Sequence, residues 1–336
     1  MILVTGATGL VGGHLLWHLL QENPRVRAIK RYSSNLQPLR AIFSFYTENP
    51  DVWLGKIDWN VADVLDRDAL TEALQGVDVV YHCAAVVSLN RGSDIMTDTN
   101  VMGTALMVEL ALKMKVKRFC FVSSIAACGK APVGEIINES TPWKEREGLS
   151  VYARSKYYSE QEAWKGIEKG LNAVIVNPGV ILGFSGTVSG SSELFVRVKK
   201  GLPFYTKGIT GYVNVRDVVR AMILLMNSEV SAERFLLVAE NCSNREIINT
   251  IATGFGKIKP VFGLNRPVLM FVATVAGLLG RTFKFRPAID KSIARTATGR
   301  TYYDGSKIKT AINFDYSSIE EGIADTCRFI LKNKIF

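Results

Sequence analysis

Short, almost wholly apolar runs recur along the first 180 residues, at Ile2–Val4, Val26–Ile29, Val52–Ile57, Val77–Tyr81, Arg118–Val122 and Ala173–Val176. Runs of this length with no polar alternation fit strands buried on both faces. Between them the apolar positions take a helical period, predicting helices at about Leu10–Gln21, Asp66–Leu74, Asp98–Lys113 and Val151–Glu168. Strand and helix therefore alternate, the pattern of right-handed βαβ units. The predicted fold class is α/β, a Rossmann-type doubly wound parallel sheet with helices on both faces.

Beyond Asn177-Pro178-Gly179 the pattern loosens. A stretch rich in glycine and serine runs from Gly183 to Ser192, and a helix is predicted over Ser192–Lys200. Tyr212–Asp217 then leads into a helix ending near Met226, and Arg234–Ala239 reads as one more strand. From about Asn241 no clean βα alternation is left. The expected division is a nucleotide-binding unit over 1–177, rejoined by 213–240, and a smaller substrate-covering region from 178–212 and 241–336.

One later run is longer: Pro267–Gly280, flanked by Arg266, Arg281, Lys284 and Arg286. Fourteen helical residues reach about 21 Å, short of a hydrocarbon core of about 30 Å, so the run does not read as a span. It can pack on the core, line an apolar pocket, or rest on a membrane surface through residues 266–286. These readings stay open on the sequence.

Apolar residues make up 48% of the 336 and charged residues 21%, which excludes a disordered or fibrous chain. The formal charge is +10 without any dense basic block. An anionic cofactor and ordinary solvated faces account for it, and no nucleic-acid partner is expected. Five dispersed cysteines with no C-x-x-C pair predict reduced core thiols. A strand at the very start of the sequence argues for a cytoplasmic location. His14 and His18 are one helical turn apart, but no carboxylate or cysteine accompanies them, so no metal is expected.

The chemistry begins at the N-terminus. Val4 to Gly13 read V-T-G-A-T-G-L-V-G-G, directly behind the first strand. Gly6, Gly9 and Gly12 permit a tight turn and a close backbone approach to a pyrophosphate at the start of the first helix. The first two glycines are three apart, where typical dehydrogenases place them two apart. Far downstream, Tyr152-Ala-Arg-Ser-Lys156 puts a phenol and an ammonium on one helical face. A free tyrosine ionises near pH 10, so a neighbouring cation helps it to handle protons at neutral pH.

Together the two motifs resemble the extended branch of the short-chain dehydrogenase/reductases. The resemblance runs from residue 1 to about 240, and it implies an NAD(P)-dependent reductase or dehydrogenase. It makes Asn100, Ser124, Tyr152 and Lys156 a catalytic tetrad: Ser124 would hold the substrate oxygen, Tyr152 would donate the proton, Lys156 would tune Tyr152 and bind the nicotinamide ribose, and Asn100 would hold a relay water. Asn100 stands in Asn-Val-Met-Gly-Thr104 and Ser124 five residues before Gly129, as the family pattern requires. Ser123 is expected to be structural. The resemblance gives the cofactor Gly6, Thr8, Gly9, Leu10, Val11 and Gly12 at the glycine loop. It adds Asp63 and Val64 at the adenine, Ala84 and Ala85 beside the cofactor, and Pro178, Gly179 and Val180 at the nicotinamide. His82, in Tyr81-His-Cys-Ala-Ala85, is not expected to be catalytic.

Cofactor choice is read at the end of the second predicted strand, Arg27-Ala-Ile-Lys-Arg-Tyr-Ser-Ser34, where no acid waits for a ribose 2′-hydroxyl. Arg31 falls at the phosphate-binding arginine of dihydroflavonol reductase-like members, with Lys30 or Ser33 as helpers. NADP(H) is thus expected ahead of NAD(H). Asn177-Pro178-Gly179-Val-Ile-Leu-Gly183 resembles the segment shared by dihydroflavonol reductase-like and 3β-hydroxysteroid dehydrogenase-like proteins. Nucleotide-sugar epimerases usually carry Arg where Asn177 stands, and 4,6-dehydratases carry an Asp-Glu pair where this chain has Ile125 and Ala126. The resulting expectation is reduction of a carbonyl, or oxidation of the alcohol, of a small hydrophobic substrate. A nucleotide-sugar epimerase and a cofactor-sensing binding protein are the rival readings, and a homodimer is left open.

Overall fold

In the computed structural model, residues 1–87, 96–129, 132, 134–145, 149–188, 190–282 and 291–335 are described. Seven strands form the central sheet: β1 (Ile2–Thr5), β2 (Val26–Lys30), β3 (Ile57–Val61), β4 (Val79–His82), β5 (Arg118–Val122), β7 (Ala173–Pro178) and β11 (Glu233–Leu237). Their order from edge to edge is β11, β7, β5, β4, β1, β2, β3, and every neighbouring pair is parallel. The chain thus builds outward on one side of β1, then crosses to the other. That reversal opens a crevice at the carboxyl ends of the strands.

Alternate residues of these strands serve two separate cores. Val4, Tyr81, Cys120, Val122, Val174 and Val176 pack with helices Leu10–Glu22 and Val215–Met226. Leu3, Val80, Phe119, Phe121, Ala173 and Ile175 pack with helices Gly103–Lys113 and Val151–Glu168. Two buried faces favour apolar residues at successive strand positions, which is why the runs read as nearly continuously apolar. A third core joins residues 182–212 to 247–330, including Phe184, Phe195, Tyr212, Ile251 and Ile323. Ile308 and Phe314, late in the chain, return to the first core.

The remaining strands are short. β8 (Val180–Leu182) runs parallel to β10 (Ile209–Asn214), which pairs antiparallel with β12 (Glu240–Ser243). β9 (Phe204–Thr206) pairs with β13 (Phe262–Leu264), and β6 (Ile136–Ile137) with β14 (Tyr302–Tyr303).

One strand expectation is corrected. Val52–Ile57 is not a strand: Pro50–Leu54 is a short helix, and β3 starts only at Ile57. Pro50 sits in the first helical turn, where its fixed φ and missing N–H are no handicap, and Asp51 adds a favourable charge there. Trp53 meets Trp17 of the first helix with ring centroids 5.0 Å apart, so its apolar character serves helix packing.

The run at 267–280 is helical over Arg266–Thr282. Leu269 and Ala273 pack on Ala294 of helix Lys291–Thr298, while Val268, Phe271, Val272 and Val275 are exposed. The Arg281 side chain, and Lys284 and Arg286 entirely, lie outside the described residues. No helix among the described residues is long and apolar enough to cross a membrane.

Candidate active site

Backbone sterics shape the floor of the crevice. Gly6 has φ +66°, and a Cβ there would lie 2.6 Å from the Cys83 carbonyl carbon. A Cβ on Gly12 would come within 2.3 Å of the Gly6 oxygen, so the turn and the first helix meet backbone to backbone. Gly9 donates its N–H to Gly6 O at 3.0 Å and caps helix Leu10–Glu22 without a side chain. No acid stands in that helix's first turn. Its N–H groups and the positive end of its dipole are therefore available to an anion, and the cradle fits a pyrophosphate. Thr8, Leu10 and Val11 are half-buried around the exposed Gly9.

The neighbouring strand ends carry the other expected cofactor residues. Arg31 is exposed immediately after β2 and has no ion-pair partner among the described residues. Its backbone N–H donates to Ser34 Oγ at 3.0 Å. The Lys30 ammonium lies 5.5 Å from the Trp59 ring centroid. Asp63 accepts the Leu65 N–H at 3.0 Å, and Val64 is buried against Gly103, where a Cβ would come 2.8 Å from Val64 Cγ2. Pro178 is buried at the end of β7; Gly179 lies against the Gly211 carbonyl with no room for a Cβ, and Val180 is exposed beside it.

A polar chain closes the end of β4. Ala84 donates its N–H to Thr5 Oγ1 at 3.1 Å, and Thr5 Oγ1 lies 2.8 Å from His82 Nδ1. Thr104 Oγ1 donates to Asn100 O at 2.6 Å and lies 3.2 Å from His82 Nε2. With the Thr104 proton committed to Asn100, His82 Nε2–H is the donor and Nδ1 accepts from Thr5. Burial pushes the His82 imidazole down to about 3, so it stays neutral. Ala85 is half-buried just beyond this chain.

Asn100 is buried in a single π-type turn, Asp98–Met102, that leads into the next helix. Its Oδ1 accepts the Val86 N–H at 2.7 Å, and its Nδ2 donates to Val86 O at 3.1 Å and Ser155 Oγ at 3.0 Å. It thereby ties the segment after β4 to helix Val151–Glu168. Ser150 opens that helix by accepting the Ala153 N–H, and Tyr152, Lys156 and Glu160 follow at four-residue spacing on one face. The Tyr152 hydroxyl faces the Ser124 side chain. Burial raises the phenol above its ordinary value and the Ser124 contact opposes this. Lys156 Nζ donates to Val122 O at 2.9 Å, and burial lowers its amine to about 8. Asn100, Ser124, Tyr152 and Lys156 thus converge on the ends of β4 and β5.

Glu160, which the sequence reading passed over, organises the ground beneath them. This buried carboxylate accepts Ser123 Oγ and Asn177 Nδ2, both at 2.6 Å, and the Arg234 guanidinium at 2.9 Å. Asn177 Nδ2 also donates to Ser124 O at 3.0 Å. Ser123 is structural, as expected. The continued four-residue spacing from Tyr152 through Lys156 was the signal available for Glu160. His14 is committed elsewhere, with Nε2 donating to Phe184 O at 2.8 Å and Nδ1 accepting from the Tyr46 hydroxyl.

A glycine turn aimed at a diphosphate, and a phenol, hydroxyl and amine at the neighbouring strand ends, define the class: an NAD(P)-dependent oxidoreductase of the extended short-chain type. The chain belongs to the NAD dependent epimerase/dehydratase family, which it matches over residues 2–237. It is 30% identical to a putative dihydroflavonol 4-reductase of Synechocystis, over 96% of this chain and 92% of that protein. It is also 30% identical to sterol demethylase protein B of Methylococcus capsulatus, over 84% of this chain and 82% of that one. The solved structure of DesIV, a dTDP-glucose 4,6-dehydratase from Streptomyces venezuelae, shares the fold with a TM-score of 0.77 at 22% identity, covering 99% of this chain and 97% of that one.

Two stability effects are expected. Removing the buried carboxylate in Glu160→Ala leaves Ser123 without its acceptor and the Arg234 guanidinium without its counter-charge, so urea unfolding is expected to show a loss of about 3–5 kcal/mol. Lys156 is lowered on folding, from 10.5 to about 8, so the unfolded chain binds the extra proton between those values and stability rises with pH across that window. The protein without cofactor is therefore expected to be less stable than Lys156→Met at pH 7 by about 3 kcal/mol, a gap that narrows above pH 8 in a series of urea titrations.

Proposed function

We propose that this protein is an NADP(H)-dependent reductase of a small, hydrophobic carbonyl compound, able to run in reverse on the alcohol. The observation that carries the reading is the meeting of the Tyr152 hydroxyl and the Ser124 side chain, one helical turn from buried Lys156, at the strand ends that adjoin the glycine cradle. The bound nicotinamide supplies the hydride. Ser124 Oγ holds the substrate oxygen, and the Tyr152 hydroxyl gives it the proton as charge develops there. Lys156 steadies the resulting phenolate through its charge. Asn100 acts as a positioning residue, locking the helix that carries Tyr152 and Lys156 to the segment after β4. In this reading residues 1–177 with 213–240 hold the cofactor, and 178–212 with 241–336 cover the substrate.

Chemistry favours simple reduction. Elimination needs an additional acid and base, yet Ser124 is followed by buried Ile125 and by Ala126. The two 30%-identical relatives are named for a dihydroflavonol and a sterol, both ring systems with large apolar surfaces, which supports a hydrophobic substrate here. The test is turnover with NADPH on aromatic and steroid-like ketones beside UDP- and GDP-sugars. Reduction of the former only is expected, and robust epimerisation of a sugar nucleotide overturns the reading. Tyr152→Phe is expected to keep cofactor affinity and to lose about a hundredfold or more in turnover.

The preference for NADP(H) rests on Arg31, a guanidinium free of ion pairs among the described residues at a strand end with no acid beside it. Its planar fork suits a 2′-phosphate. Arg31→Asp is expected to weaken NADPH by about 1.5–3 kcal/mol in fluorescence titration, and tighter binding of NADH by the unmodified protein would refute the preference.

A further inference from the structure

The exposed apolar face of helix Arg266–Thr282 needs an account of its own. Val268, Phe271, Val272 and Val275 follow the i, i+3, i+4, i+7 rule, so they form one stripe, and that stripe faces solvent. Phe271 is 70% exposed. The opposite face is already used, since Leu269 and Ala273 hold the helix to Ala294 and Leu264 in a small satellite core. The stripe is therefore not a core face displaced by a packing error; the helix has two apolar faces and the protein covers one.

The surface continues along the chain that leads into the helix. Ile258 is 91% exposed, Val261 74% and Phe262 60%. Phe262 stands beside the exposed Phe204 on the paired strand, ring centroids 5.8 Å apart. Singly exposed apolar residues are unremarkable, but a run of aromatic and branched side chains carried by one parallel strand pair and the helix that follows it marks an interaction surface.

Its charge names the occupant. Residues 247–276 contain three lysines and arginines and no aspartate or glutamate. Exposed Lys207, one residue beyond β9, lies against β13, where a Cβ on Gly263 would come 3.0 Å from its Cε. Lys257, Lys259 and Arg266 are exposed at the border of the apolar stripe, with no ion-pair partner among the described residues. A second copy docked through the same face would set these cations against one another with no carboxylate between them. A nucleic acid would meet the cations but leave Phe271 and Val272 against a polar backbone. Anionic lipid satisfies both parts: headgroups take the lysines and the arginine, and the acyl boundary takes the phenylalanines and valines. At 17 residues the helix reaches about 25 Å, so it fits lying in the interface and not crossing it.

We propose that the surface formed by Ile258–Phe262, Phe204 and the outer stripe of helix Arg266–Thr282 is a docking face for an anionic lipid bilayer. The binding is peripheral and reversible, independent of cofactor and of the substrate reading above. The test is flotation of the full chain with vesicles of phosphatidylcholine mixed with phosphatidylglycerol, beside vesicles of phosphatidylcholine alone, at low and high salt. Binding is expected to the mixed vesicles and to weaken with salt. Replacing Lys257, Lys259 and Arg266 together by Gln is expected to cost about a hundredfold in partitioning, from a factor of about five for each charge. Phe271→Ser with Phe262→Ser is expected to cost at least about tenfold, with thermal unfolding unchanged because both side chains are exposed in the folded protein. The proposal is overturned if the mixed vesicles are not bound, if neither variant alters binding, or if light scattering shows a dimer that Phe271→Ser dissociates, which would make a second copy the occupant.

Discussion

The helix that carries Tyr152 and Lys156 is held to the sheet by one buried carboxylate. Glu160 receives hydrogen bonds from the end of β5 through Ser123, from β7 through Asn177 and from β11 through Arg234, while its own helix carries Tyr152 and Lys156. Three strands and one helix are thus registered at a single group. Charged hydrogen bonds of this kind are short and directional, and in a low-dielectric interior a misplaced partner is costly. The Ser124 hydroxyl gains a fixed position from it at second hand, because Asn177 spans Glu160 and the Ser124 carbonyl.

Much of the fold could be read from the sequence because both faces of the sheet are buried. A strand such as β5, with Phe119 and Phe121 on one side and Cys120 and Val122 on the other, reads as a short continuous apolar run. Val52–Ile57 was misread by the same rule: Val52, Trp53 and Leu54 look like a buried strand, and only Pro50 ahead of them reports the helix. The helix bearing Tyr152 and Lys156 agrees with its expected limits, since Ser150 caps it and no glycine or proline interrupts it before Gly166. What stayed hidden was non-local. Arg234 and Glu160 are 74 residues apart, and nothing in either neighbourhood announces the pair. For the helix at 267–280 the sequence left packing and exposure as alternatives, whereas the structure divides them between two faces of one helix.

The polar chain from Thr5 through His82 and Thr104 to Asn100 shows how a buried histidine can serve architecture alone. Each proton has one destination, the imidazole is kept neutral, and the result is a rigid strap over the end of β4 beside the glycine turn. Lys156 is different in kind. It is buried with a backbone carbonyl as its hydrogen-bond acceptor and no carboxylate within ion-pair distance among the described residues, an arrangement that costs stability and keeps a proton easily exchanged.

The order of the strands has a consequence during synthesis. β7 is completed at Pro178, but its outer neighbour β11 ends at Leu237, so the growing sheet presents a bare hydrogen-bonding edge while the intervening segment is made. Over the same interval Glu160 lacks Arg234, and the acceptor that registers the helix to the sheet is only partly matched. An open strand edge is a template for pairing with other chains, and long-range contacts are slow to form. Residues 233–237 thus cover the exposed edge of β7 and complete the partners of Glu160 in the same step.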